Sequence, residues 1–513
     1  MVYHYISLHL DPARSFQTEA FNPLRQPPAT RQRWARPARR RSTTMNYLHH
    51  FDTATTVEAC VAGAGDFGRG ILRQAQQMPG MNARIAVDIS AETAAQAFEK
   101  AGIPASQIAV CQTQEEASDA WQAGKFVACG DLEVVKHLDF DILVESTGIP
   151  NAGATHAASA LKAGKHVGIA TKETESVVGP YLTRLGNRHG RLFTPLDGDQ
   201  PSLLIGLVTW AQTLGFEIIA AGKSSEYDFV WDEQDQAIWC NGTRFDAADM
   251  ADLWTLPEGD ERSVVRARGE HLSAIPQISA PDLCEMTNVA NATGLTPDHP
   301  AFHALVLRTH EVPTLLDLEG NGGVLSGTGR LEVFNCLRRP DELSFAGGVF
   351  VVVRCEDAHA WEVLDGKGHI LSRSKKSAMV YLPRHLLGLE APISLLDAVL
   401  KGLPSGGGQA TRPAVDLVAR ATVSLSKGQE LEMKGHHRHI AGLQPEVHPA
   451  AALLDATPVP FYLLPGAVLK RDVAAGQLIS VADVQLPDST LLHLRREQDA
   501  MFFSTAESSS EPA

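Results

Sequence analysis

From residue 57 onward, apolar and polar positions fall into short blocks whose period switches repeatedly between strand and helix. Residues 57–62 form an apolar strand pattern leading into a helical stretch that ends near residue 77, and a second strand pattern covers 83–88. A third, 140–148, is a buried-type strand ending in small residues. Residues 153–164 read as a helix closed by Gly164, followed by a strand with Lys172 just past its end. Strands alternating with helices in this way predict a parallel sheet covered on both faces. Further on, the pattern predicts a helix over 203–213, a strand over 216–222, a strand-dominated stretch over 330–354 and a helix over 393–401. The stretch 231–311 is polar, rich in Asp, Pro and Thr, and only weakly periodic; it reads as an elaboration, a lid or a dimer contact. Pro404-Ser-Gly-Gly-Gly408 is a flexible break, and beyond it 416–431 and 460–484 echo each other as a small β-rich module.

Composition narrows the function classes. The 513 residues are 44% hydrophobic and 20% charged, with a formal net charge of −15. A chain this long buries large cores, and its acidic balance speaks against a general nucleic-acid binder. No apolar run approaches the roughly 18–20 residues that span a bilayer. The 7 cysteines contain no C-x-x-C pair, which suits reduced thiols and a cytoplasmic location. The first 44 residues carry eight arginines against Asp11 and Glu19. Residues 1–50 read as a disordered basic leader, either a transit peptide or an over-extended start ahead of Met45.

Val61-Ala-Gly63-Ala-Gly65-Asp66-Phe67-Gly68 places G-x-G-x-x-G between a strand and a helix. The first glycine permits the tight turn, the second lets backbone approach a pyrophosphate, and the third lets helix and strand pack closely. Asp88 ends the next strand 20 residues after Gly68, where an acid accepts hydrogen bonds from a ribose 2′-hydroxyl and favours NAD over NADP. Arg69, Arg73 or Arg84 would offset it. The tip Glu145-Ser146-Thr147-Gly148 is placed to meet a nicotinamide ring.

Candidate chemistry clusters at later strand ends. Lys172 follows one strand. Asp197-Gly198-Asp199 forms a turn before a helix, and Lys223-Ser224-Ser225-Glu226 ends the 216–222 strand. A lysine and carboxylates together supply an acid and a base whose pKa values are set apart by environment. Two carboxylates also suit a divalent cation such as Mg or Mn, leaving a metal route open. Arg384 and His385 lie before the 393–401 helix, suited to a substrate phosphate or to proton transfer. His436-His437-Arg438-His439 reads as an exposed or inter-domain segment rather than a metal site.

The 63–68 fingerprint, the 145–148 tip and the 163–172 segment resemble homoserine dehydrogenases. They are still more similar to the reductoisomerase-like family acting on 1-deoxy-D-xylulose 5-phosphate, which joins a homoserine-dehydrogenase-like body to a C-terminal SAF domain. The Pro383-Arg-His-Leu-Leu-Gly-Leu-Glu390 segment and the 460–484 module carry the resemblance further. It implies a Rossmann-type doubly wound domain (51–190), an α+β substrate and dimerisation domain (191–405), a SAF-like β domain (406–500) and a tail (501–513). It also implies a homodimer and an NADPH-dependent step in isoprenoid precursor synthesis, in which a small hydroxy-ketone is rearranged and reduced. Lys172, Lys223, Asp199 and Glu226 are then the expected catalytic groups. Ser224, Ser225, Arg384 and His385 are the expected substrate contacts. Simple reduction or oxidation without rearrangement, and a dinucleotide-binding sensor, are the alternatives.

Overall fold

The computed structural model describes residues 55–504 together with Tyr47, His50 and Phe51. The predicted basic leader otherwise lies outside the described residues. Seven strands build the first sheet: β1 (Val57–Ala62), β2 (Met81–Val87), β3 (Ile108–Val110), β4 (Phe126–Cys129), β5 (Ile142–Glu145), β6 (His166–Ile169) and β7 (Phe193–Pro195). All pair in parallel, in the order β3-β4-β2-β1-β5-β6-β7. Its helices include α1 (Asp66–Ala75), α2 (Ala91–Lys100), α3 (Gln114–Gln122), α4 (Pro150–Lys162) and α5 (Lys172–Arg188). Apart from the edge strand β3, where Val110 is exposed, the strands are mostly buried, as apolar runs between two helical layers must be. Strand order reverses between β1 and β5, so a crevice opens there at the carboxyl edge. This is the expected Rossmann-type arrangement.

Helix α6 (Gln200–Thr213) leads to a nine-stranded mixed sheet centred on β8 (Ile218–Asp232). On one side β8 pairs in parallel with β9 (Arg330–Arg338), and on the other antiparallel with β10 (Val349–Arg354), which pairs with β11 (Ser377–Leu382). Register places Lys223 between Val333 and Val349, in the middle of the sheet. Within the 231–311 stretch, α7 (Ala280–Thr293) is a buried helix rather than part of a polar elaboration. Its start is fixed by Ser279, which caps the Asp282 amide at 3.2 Å, and its end by left-handed Gly294. Helices α6 and α7 lie on the face formed by Val333, Val349 and Val351.

The C-terminal part contains the antiparallel pair β12 (Val415–Ala421) and β13 (Leu443–Pro449), then α8 (Thr490–Phe502). Met501 and Phe502, expected in the tail, belong to this helix; residues 505–513 lie outside the described residues. Gln498 of α8 bonds the Val177 carbonyl and the Tyr181 amide, each at 3.0 Å, so this part returns to the first sheet's helices. All seven cysteines are free. Among the described residues no helix is long and apolar enough to cross a membrane.

Candidate functional site

The turn after β1 explains its glycines atom by atom. A Cβ on Gly63 would stand 2.5 Å from the Thr147 amide, and one on Gly68 would stand 2.1 Å from the Gly63 carbonyl. A Cβ on Gly65 would meet nothing within 4 Å. Two glycines are therefore required by the protein's own packing, while Gly65 faces open space at the N-terminus of α1. That space suits the anionic pyrophosphate of a dinucleotide, which unpaired helical N–H groups and the dipole attract. Asp66 opens the helix and Phe67 packs its backbone against Gly388. Ser146 donates to the Gly63 carbonyl at 2.7 Å, locking the β5 tip onto this turn.

At the end of β2, both Asp88 carboxylate oxygens accept backbone N–H groups, from Ala64 and Ile89, each at 2.7 Å. The acid is thereby fixed beside the glycine turn. The expected compensating arginines are engaged elsewhere: Arg69 with Asp66, Arg73 with the Ala101 carbonyl, and Arg84 over the Trp121 ring at 3.7 Å. At the β5 tip, buried Glu145 accepts the Thr147 hydroxyl at 2.6 Å, and the Gly148 amide donates to Thr171 at 3.0 Å.

Beside that tip lies a chain of alternating charges. Lys172 is the first residue of α5 and Asp199 caps α6, with the ammonium and a carboxylate oxygen 3.8 Å apart. Lys172 also bonds one oxygen of Glu285, and Lys223 bonds the other. Lys223 completes the chain with Asp282 at 2.8 Å. Asp282 and Glu285 stand three residues apart on α7, so both project from one face toward β8. The Gln200 amide, its nitrogen toward the acids, donates to Asp199 at 2.6 Å and Glu285 at 3.3 Å.

Burial sets the proton affinities. Burial pushes the Glu285 carboxyl up to about 7, against the pull of Lys172 and Lys223. Glu175 is pushed to about 8 by burial, with Asp199 adding repulsion. For Lys172 and Lys223, burial alone would lower the ammonium pKa, but the facing carboxylates hold both above the ordinary range. Asp282 stays below its ordinary range: burial opposes this, and Lys223, Ser279 and Ser225 outweigh it. The side chains of Lys223, Asp282 and Glu285 are 0% exposed, whereas Lys172 and Asp199 are each 17% exposed. Only the latter pair opens on the crevice.

The remaining expected residues divide. Ser225 joins the cluster through Asp282 at 2.9 Å. Ser224, one residue earlier on β8, points to the opposite face of the strand and spends its hydroxyl on the Ser225 carbonyl. Glu226 makes no bond to either lysine; it faces His436 and His437, each at 3.6 Å. His385 bonds the Gly347 carbonyl at 3.0 Å near Gln200, whereas Arg384 is exposed and forms no hydrogen bond or ion pair among the described residues. Asp197 accepts the Ser202 hydroxyl, so the two acids of the turn do not converge. The histidine segment reaches the β5 tip: Arg438 bonds the Gly148 carbonyl and, at 3.1 Å, Glu173. Asp282 and Glu285 were absent from the expected set. The S-x-x-D helix-start pattern at 279–282 was the available signal.

Residues 280–391 match the family model for the catalytic domain of oxidoreductase DRL. The segment is DRL-like. It begins at α7 and contributes both acids that hold the lysines. A 1-deoxy-D-xylulose 5-phosphate reductoisomerase of Chloroherpeton thalassium is 30% identical over 128 residues, covering 25% of this chain and 30% of that protein. The chain thus spans less than a third of this curated relative. Among solved structures, an NAD-binding protein from Listeria innocua overlaps 33% of this chain and 43% of its own, at 18% identity and a TM-score of 0.22. The reductoisomerase from Zymomonas mobilis in complex with NADPH overlaps 34% and 46%, at 17% identity and a TM-score of 0.25. These overlaps are local; the sheet order above is the chain's own.

Proposed function

We propose that this chain is a nicotinamide-dinucleotide-dependent oxidoreductase that reduces a small hydroxy-carbonyl substrate of the 1-deoxy-D-xylulose 5-phosphate type, with rearrangement preceding reduction. One observation carries the reading: the DRL-like segment supplies Asp282 and Glu285 to Lys172 and Lys223 beside the β5 tip. The open space at Gly65 and the N-terminus of α1 fit the pyrophosphate, and Asp88 fits the ribose edge. A dinucleotide bound there exchanges hydride with substrate carbon.

The chain's own groups handle the proton. Lys172 faces the crevice and donates, first a hydrogen bond and then its proton, to the carbonyl oxygen as that carbon is reduced. Asp199 accepts the proton of the neighbouring hydroxyl during rearrangement. Glu285 accepts hydrogen bonds from both ammoniums and holds Lys172 at the crevice, where the spent lysine regains its proton from solvent. Lys223 is a positioning residue, because it is completely buried and acts through Glu285. The positive charge at these acids comes from ammonium groups, and a dication placed there would displace at least one of them. Polarisation of the substrate oxygen is therefore assigned to Lys172.

The test is oxidation of NADPH, and separately of NADH, by 1-deoxy-D-xylulose 5-phosphate, with aspartate semialdehyde in parallel and with Mg²⁺ or a chelator in each arm. Turnover of the first substrate to a branched product supports the reading. Turnover of the semialdehyde alone overturns it.

A further inference from the structure

On the face of the mixed sheet opposite the lysine cluster lies a second polar constellation. Val333 is in register with Lys223, so Glu332 leaves β9 on the other side. Glu332 is fully buried and holds His303 through two bonds, 2.6 Å to Nδ1 and 3.2 Å to the backbone amide. A histidine pinned at Nδ1 by a carboxylate presents Nε2 as a lone pair. That is how a carboxylate orients a metal-binding imidazole.

His303 Nε2 faces Asp298 Oδ2 at 4.0 Å, too far for a hydrogen bond. Tetrahedral bonds of about 2 Å, the ordinary zinc–nitrogen and zinc–oxygen lengths, set neighbouring donors roughly 3.3 Å apart, so an ion would draw this pair together by a fraction of an ångström. His299 supplies a third donor, and the three ligand atoms lie within 4.8 Å of one another. Asp298 is supported in turn by the Ser326 amide at 3.1 Å, the Ser326 hydroxyl and Arg330 at 3.0 Å. Phe302 and Ala304 flank His303 at φ +58° and +47°, a conformation that L-residues adopt at a cost. The backbone is therefore held in a strained form that keeps His303 between Glu332 and Asp298.

We propose that Asp298, His299 and His303 bind one divalent transition-metal ion of the zinc class, with Glu332 orienting His303. Two imidazoles and a carboxylate match that class rather than magnesium or calcium. The neighbouring Pro300 carbonyl accepts the Val447 amide at 2.7 Å, so the ion braces the loop on which β13 rests.

The experiment uses the full chain, stripped with a chelator, in a background where His436, His437 and His439 are replaced by alanine to remove the other histidine run. Cobalt(II) is titrated and its visible d–d absorption followed, with zinc competition. One equivalent with the intense bands of a four-coordinate site, displaced by zinc, is expected. His299→Ala, at an exposed position, should abolish the bands, and Glu332→Gln should weaken binding about 10–100-fold. No band at one equivalent, as when His303 Nε2 carries a proton instead, overturns the proposal. So does a titration unchanged by His299→Ala.

Discussion

The Lys172 ammonium and the Glu285 carboxylate meet in a hydrogen bond across 113 residues of sequence. One belongs to the first helix after a Rossmann strand, the other to a buried helix of the next layer. Their contact joins the dinucleotide crevice to the mixed sheet.

Replacing Lys223 by methionine leaves Asp282 and Glu285 buried without their shared cation. Removing one partner of a buried ion pair costs about 3–5 kcal/mol. Urea unfolding should show a loss of that size, and Lys223→Met/Glu285→Gln should recover part of it.

Glu285 and Glu175 have carboxyls raised to about 7 and about 8. A raised acid binds its proton more tightly in the folded state. Its contribution to stability is complete below the ordinary carboxylate range and is lost as pH rises through the folded value. Melting temperature should therefore fall between pH of about 5 and 9. Glu175→Gln should make that fall shallower, and an unchanged slope would remove Glu175 from the account.

Gly65→Ala and Gly68→Ala separate ligand space from packing. Alanine at 65 meets only open space, so unfolding should be unchanged while dinucleotide affinity drops at least about tenfold, or about 1.4 kcal/mol. Alanine at 68 collides with the Gly63 carbonyl and should lower both stability and affinity. Equal behaviour of the two variants in both assays would contradict the placement of the pyrophosphate.

Arg495 of α8 is fully buried, bonding Asp416 at 2.6 and 2.7 Å and Asp499 at 2.7 Å. Arg495→Met strands Asp416 in the interior. Denaturant unfolding should report a loss of about 3–5 kcal/mol.

What the sequence determined by itself is local in origin. Glycine spacing after an apolar strand has few structural solutions, so the Gly63–Gly65–Gly68 turn, the parallel sheet and the site of Lys172 were legible from periodicity and turn chemistry. Asp199 was legible as a helix-entry acid, whereas Lys223, expected at the end of a 216–222 strand, lies inside β8, which runs on to Asp232 because its pairing with β9 continues past the lysine. Tertiary structure decided which of these charges meet. Whether Glu226 or Glu285 faces Lys223 depends on how α7 lies across β8, and no local signal carries that distance. Strand alternation sent Ser225 into the cluster and Ser224 away from it, a difference fixed only when one face was buried. The buried helix bearing Asp282 and Glu285 hid in a polar stretch because its acids are neutralised by lysines remote in sequence. Such charges are tolerated in a core once their partners are in place.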